Sequence, residues 1–199
     1  GYSGHFAPHA LIAIGASTGG TEAIKEVLLR MPVNCPPIVM AQHIPPIFST
    51  SYAERMNRTC AISVSEVQGG EILEPGHAYL APGHSHLGVI RRGDKYVTRL
   101  SQADPVNRHR PSVEVLFDEA RKAAGQNCVA AILTGMGSDG AAALLRLREE
   151  GCFTIAQDEA SSVVWGMPGA AAKLNAAAEI LSLEKICGRL LDQSLIRKK

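Results

Sequence analysis

At 199 residues, with 46% hydrophobic and 20% charged side chains, the chain has the material for one large domain with its own core. A formal net charge of +1 excludes the strongly basic electrostatics of a nucleic-acid binder, and no apolar run is long enough to insert in a membrane. Five scattered cysteines without a C-x-x-C pair fit buried thiols in a reducing, cytoplasmic setting rather than a disulfide framework.

Residues 1–10 lack a signal-peptide pattern and read as a linker remnant, leaving 11–199 as the domain. An apolar strand over 11–15 precedes a helix over 21–30. A strand over 38–42 precedes a helix over 48–57, entered through Pro45-Pro46, and 62–64 is a further short strand. Three short strands follow, at 78–81, 87–91 and 96–100. Pro82-Gly83 and Gly93-Asp94 punctuate them, with Arg92-Gly93-Asp94-Lys95 as a hairpin turn. They are expected to form an antiparallel insertion or edge. An amphipathic helix over 113–124 starts just after Pro111. Strands at 129–133, 153–156 and 179–181 then alternate with helices at 140–150, 168–173 and 183–191. This alternation predicts an α/β fold: a mostly parallel, doubly wound sheet flanked by helices, with a small antiparallel β-hairpin.

The first strand breaks into Gly15-Ala16-Ser17-Thr18-Gly19, which satisfies the G-x-S-x-G pattern of a nucleophile elbow. Small neighbours let the backbone turn sharply and project the serine hydroxyl near a helix N-terminus. A Gly-rich strand-to-helix turn serves equally as an anion cradle in nucleotide-binding domains, or as packing punctuation with Ser17 capping the helix.

Two more polar residues follow apolar strands. His43 comes after the strand at 38–42. Asp139 comes after the strand at 129–133, through Thr134-Gly135-Met136-Gly137-Ser138. In an open parallel sheet, ligand sites gather beyond the C-terminal strand ends. Hydroxyl, imidazole and carboxylate at one edge are the inventory of a catalytic triad: Ser17 as nucleophile, His43 as general base and acid, Asp139 as the group that fixes the histidine tautomer. The order Ser-His-Asp differs from the Ser-Asp-His of α/β-hydrolases and points to a different fold with a convergent site. His43 also suits a strand-end histidine held by backbone, and Asp139 suits the N-cap of the helix beginning near Gly140.

Backbone N–H groups beside Ser17 or along Gly135-Met136-Gly137 can form an oxyanion hole, worth about 3–4 kcal/mol per donor. Met136 is alternatively an apolar lid or core filler. Arg108 and Arg110, in the loop Asn107-Arg108-His109-Arg110-Pro111-Ser112, offer forked donors to an acidic partner, or simply solvate a loop. His77, His84 and His86 are close in sequence, but no cysteine or carboxylate cluster completes a metal site, and no metal or cofactor is expected.

Five segments together resemble one family: residues 15–24, 41–46, 75–83, 106–115 and 133–140, in that order. They look like the catalytic domain of the CheB protein-glutamate methylesterases of bacterial chemotaxis, with the likeness running from about 11 to 191. The resemblance implies that Ser17, His43 and Asp139 are the catalytic serine, histidine and aspartate. It places Thr18 and Met136 in the site lining. It implies hydrolysis of glutamate methyl esters on the cytoplasmic helices of chemoreceptors, with release of methanol, and deamidation of receptor glutamines. Full-length members carry an N-terminal receiver domain that the chemotaxis histidine kinase phosphorylates; residues 1–199 are expected to comprise the catalytic domain without it. The alternatives are a non-enzymatic anion- or nucleotide-binding module and a receptor-docking scaffold. The acidic residue expected after the second strand of a dinucleotide site is absent, and His43 occupies that region.

Overall fold

A computed structural model describes residues 4–196. Seven parallel strands form one sheet, in the order β3-β4-β2-β1-β7-β8-β9. They are β1 (Leu11–Ala16), β2 (Ile38–Gln42), β3 (Ser63–Glu66), β4 (His77–Leu80), β7 (Cys128–Ile132), β8 (Phe153–Gln157) and β9 (Glu179–Leu181). Two further strands, β5 (His86–Arg92) and β6 (Lys95–Ser101), pair antiparallel as a separate hairpin.

The strand anticipated at 78–81 does not join the hairpin. As β4 it lies inside the main sheet, parallel to both β2 and β3. Local Gly and Pro punctuation is the same for both arrangements. What separates them is burial: Ala78, Tyr79 and Leu80 are all buried, as a strand covered on both faces requires.

Side-chain alternation divides the sheet into two faces. Ile12, Ile14, Ile38, Met40 and Ile155 point to one core, covered by α1 (Gly20–Leu29), α2 (Pro46–Thr59) and α6 (Leu183–Asp192). Ala13, Ala41, Ala130 and Ala156 point to the other, covered by α3 (Val113–Ala124), α4 (Ala141–Glu149), α5 (Met167–Lys173) and the hairpin. Small residues on the second face let α3 sit close to the sheet. Val113, its first residue, fills a notch at Gly15, where an added Cβ would overlap the valine methyls. That seat sets the first turn of α3 beside the carboxyl ends of β1 and β7.

Residues 5–10 run beside the end of α6. The Ala7 amide donates to the Ser194 carbonyl at 2.9 Å, and the Tyr96 hydroxyl donates to the His9 carbonyl at 2.8 Å. All five cysteines are free thiols, and burial pushes Cys35 up to about 12 and Cys152 and Cys187 up to about 11. Among the described residues no helix is long and apolar enough to cross a membrane.

Candidate active site

The chain leaves β1 for β2 on one side and returns to β7 on the other, so β2, β1 and β7 are neighbours. Their carboxyl ends carry His43, Ser17 and the loop to Asp139. This is the switch point of the sheet, where loops diverge and leave a crevice.

Ser17 sits on a tightly held turn. Its amide donates to the Thr134 carbonyl at 2.9 Å, and its carbonyl accepts from the Gly20 amide at 2.7 Å and from Gln42 Nε2 at 2.8 Å. The Gln42 amide nitrogen also reaches the His43 carbonyl at 3.3 Å, so one buried side chain ties the serine segment to the histidine segment. Gly135 approaches from β7: a Cβ there would lie 2.7 Å from Ser17 Cβ and 2.5 Å from Met167 Sδ. Only glycine fits. The helix after Ser17 is capped by Gly19 in the left-handed conformation, with no side-chain cap, so Ser17 does not serve as one.

His43 Nε2 lies 2.7 Å from Asp139 Oδ2, with both side chains almost fully buried. Asp139 is the centre of a dense donor set. Oδ2 also accepts the Val113 amide at 2.8 Å; Oδ1 accepts the Ser112 hydroxyl at 2.8 Å, Asn107 Nδ2 at 3.0 Å and the Glu114 amide at 3.2 Å. Burial alone would raise its pKa. The hydrogen bonds from His43, Asn107, Val113 and Ser112 outweigh that and hold it at about 2. Asp139 therefore caps a helix, but not the one expected. The cap residue of α4 is Gly140, without a side-chain bond, whereas the Asp139 carboxylate takes the first amides of α3. Negative charge at that helix end is favoured by the α3 dipole as well.

With Asp139 on Nε2, the histidine lone pair belongs to Nδ1, which is buried and makes no hydrogen bond. The Ser17 hydroxyl makes none to His43 either, so the structure joins two of the three expected residues directly and the third only through Gln42 and the backbone. Catalytic hydrogen bonds are often open in ligand-free sites and close on substrate.

Ser17, Thr18, Asn107, Arg108, His109, Met136, Gly137, Ser138 and Asp139 line one open cleft of about 560 Å³. Thr18 and Met136 both line this cleft, beside Ser17. Met136 is 64% exposed, a surface residue and not core filler. Arg108 stands on the cleft rim. Arg110 does not; its guanidinium donates to the Gln102 and Ala103 carbonyls at 3.1 and 3.4 Å.

Sequence reasoning passed over several supporting groups. Gln42 ends a buried strand with a polar side chain, the same signal that drew attention to His43. Ser112 and Asn107 are ordinary loop residues until Asp139, 27 and 32 positions later in the chain, is folded against them. His86 is buried and accepts the Ser112 amide on Nδ1 at 3.2 Å while Nε2 donates to the Asp104 carbonyl at 2.9 Å. His77 instead bonds Ser65 and stacks on Tyr79, and His84 bonds Ser85. The three histidines thus have separate local partners, and among the described residues no group of three His, Cys, Asp or Glu is placed to hold a metal ion.

Residues 12–190 match the model of the CheB methylesterase family. The chain belongs to that family. CheB-type relatives named protein-glutamate methylesterase/protein-glutamine glutaminase include one from Hahella chejuensis, 61% identical over 88% of this chain and 49% of the relative. Another, from Nitrosomonas europaea, is 58% identical over 91% of this chain and 51% of the relative. The chain thus spans about half the length of these CheB relatives. The Thermotoga maritima CheB methylesterase catalytic domain superposes with a TM-score of 0.89 at 36% identity, covering 92% of this chain and 97% of that one. The seven-stranded parallel sheet, its six helices and the separate hairpin are the CheB catalytic-domain fold.

Proposed function

We propose that this chain hydrolyses glutamate methyl esters on the cytoplasmic helices of chemoreceptors, releasing methanol, and deamidates receptor glutamines by the same route. The observation that carries the reading is the His43–Asp139 pair. A buried carboxylate held at about 2 remains charged at neutral pH, accepts Nε2–H and so directs the basic lone pair to Nδ1. Ser17 Oγ attacks the ester carbonyl carbon while His43 Nδ1 takes its proton. Asp139 stabilises the imidazolium that forms. The developing oxyanion is met by the backbone amides of Thr18 and Met136, residues that line the same cleft as Ser17. As the tetrahedral intermediate collapses, His43 returns the proton to the departing methoxide, and methanol leaves a glutamyl ester of Ser17. Water activated by the same histidine then releases glutamate and restores the serine. For a glutamine side chain the leaving group is ammonia and every other step is unchanged. The receiver domain and the kinase that phosphorylates it, implied by the family resemblance, belong to the same proposal as partners of the longer protein.

The test is methanol release from methylated receptor, comparing this chain with Ser17→Ala. Release by the parent and its loss in a variant with unchanged circular dichroism is the expected result. A folded parent that releases nothing overturns the reading in favour of binding without turnover.

A further inference from the structure

His109 lies flat on His43. The ring centroids are 3.5 Å apart and the planes within 7° of parallel. His109 rides on a two-residue turn in which Val106 and His109 exchange both backbone hydrogen bonds at 3.0 Å. Asn107 and Arg108, the two central residues, have φ of 53° and 68°. Positive φ at both positions matches the type I′ geometry and explains an asparagine at the first. Asn107 then reaches Asp139 at 3.0 Å. The carboxylate that orients His43 from its edge therefore also anchors the turn that covers its face.

We propose that His109 is a positioning residue for the general base, acting as a flat and neutral plate that sets the plane of the His43 ring. This rests on the reading of His43 as the base for Ser17. A single hydrogen bond at Nε2 fixes one edge of an imidazole but leaves the ring free to tilt about that point. Tilting swings Nδ1 away from the serine. Contact across the whole ring face removes that freedom, and the turn that carries His109 is closed by two backbone hydrogen bonds and tied down by Asn107 to Asp139 and Glu114.

Neutrality matters as much as flatness. His43 becomes an imidazolium during acylation, and a second cation stacked on it would oppose that charge. The groups acting on His109 are few. Burial and the neighbouring His43 push its pKa down, against the pull of the Asp139 carboxylate. Arg108 and Arg110 flank it in the chain, and Glu114, across the turn, accepts from Asn107 at 3.3 Å. The outcome is a pKa below the ordinary histidine value, so the plate is uncharged at neutral pH.

Three substitutions separate shape from charge. His109→Leu is neutral but not flat. His109→Phe is neutral and flat. His109→Arg stacks flat but carries a fixed positive charge. Leu should lower kcat for methyl-ester hydrolysis by about 10- to 100-fold with KM little changed, the scale of a modest misplacement. Phe should restore kcat to within about fivefold of the parent. Arg should fail to restore it and should move the acid limb of kcat/KM to lower pH, because its charge resists protonation of His43. A merely structural role moves neither the Phe–Arg difference nor the acid limb. Labelling of Ser17 by a fluorophosphonate, which needs the base but no receptor, is measured on the same proteins. Labelling rates that follow the same order support the proposal even if the receptor ester is not the substrate. Equal rates for Phe, Leu and Arg overturn it while leaving the esterase reading intact. A folded parent that neither labels nor hydrolyses overturns both.

Discussion

The Asp139 carboxylate and the Val113 amide meet at 2.8 Å, through the same oxygen that binds His43. One group thus ends α3 and orients the imidazole. The first turn of α3 supplies donors that no substrate can withdraw, so the carboxylate stays ionised and in place through the reaction cycle. The notch at Gly15 that seats Val113 is part of the same device.

Asp139→Asn should therefore cost both activity and stability. The amide cannot hold the His43 tautomer, and kcat should fall by about three to four orders of magnitude. Stability follows the sign of the pKa shift. Asp139 is lowered from 3.8 to about 2, so its contribution is complete above pH 4 and lost as the pH falls toward 2. The contribution is on the order of 2 kcal/mol. Urea midpoints of parent and variant should differ at pH 7, converge between pH 4 and 2, and coincide below. A gap that persists at pH 2 would mean that packing, and not ionisation, carries the difference.

Gly135→Ala should injure the serine more than the fold. The new methyl presses on Ser17 Cβ and Met167 Sδ. Overpacking of this kind costs about 1–3 kcal/mol. Displacing the nucleophile by a fraction of its reach should lower kcat about 10- to 100-fold. Steady-state kinetics together with a thermal melt separates the two effects, and a stable variant with parental kcat would show that Gly135 does not set the position of Ser17.

Arg108 and Arg110 should behave differently although they are two residues apart. Arg108→Glu should raise KM for an acidic receptor segment about tenfold and leave hydrolysis of a small neutral ester alone, as steering by a rim charge does. Arg110→Glu should lower the melting temperature instead, because its guanidinium holds the Gln102 and Ala103 carbonyls. Salt titration gives an independent check: the Arg108 effect should shrink with ionic strength. Parental KM for receptor in Arg108→Glu would rule out a role for this charge in recognition.

The chain by itself determined the elements and the chemistry they present. The α3 helix at 113–124 and the last strand at 179–181 lie where their patterns put them, because periodicity and capping are local properties. Ser17, His43 and Asp139 stood out because buried strands ended in polar side chains. What only the tertiary structure decided is pairing over distance. Inserting β4 between β2 and β3, and not into the hairpin, depends on which hydrogen bonds form across the sheet, and no local signal encodes that. Asp139 looked like a cap for the helix that follows it and instead caps one whose first residue is 26 positions earlier. Gln42 joined to Ser17 and His109 stacked on His43 are likewise contacts between loops whose strands the sheet brings side by side. Local sequence specifies which groups can react; the folded sheet sets their mutual orientation, because burial selects one strand order and one set of loop contacts.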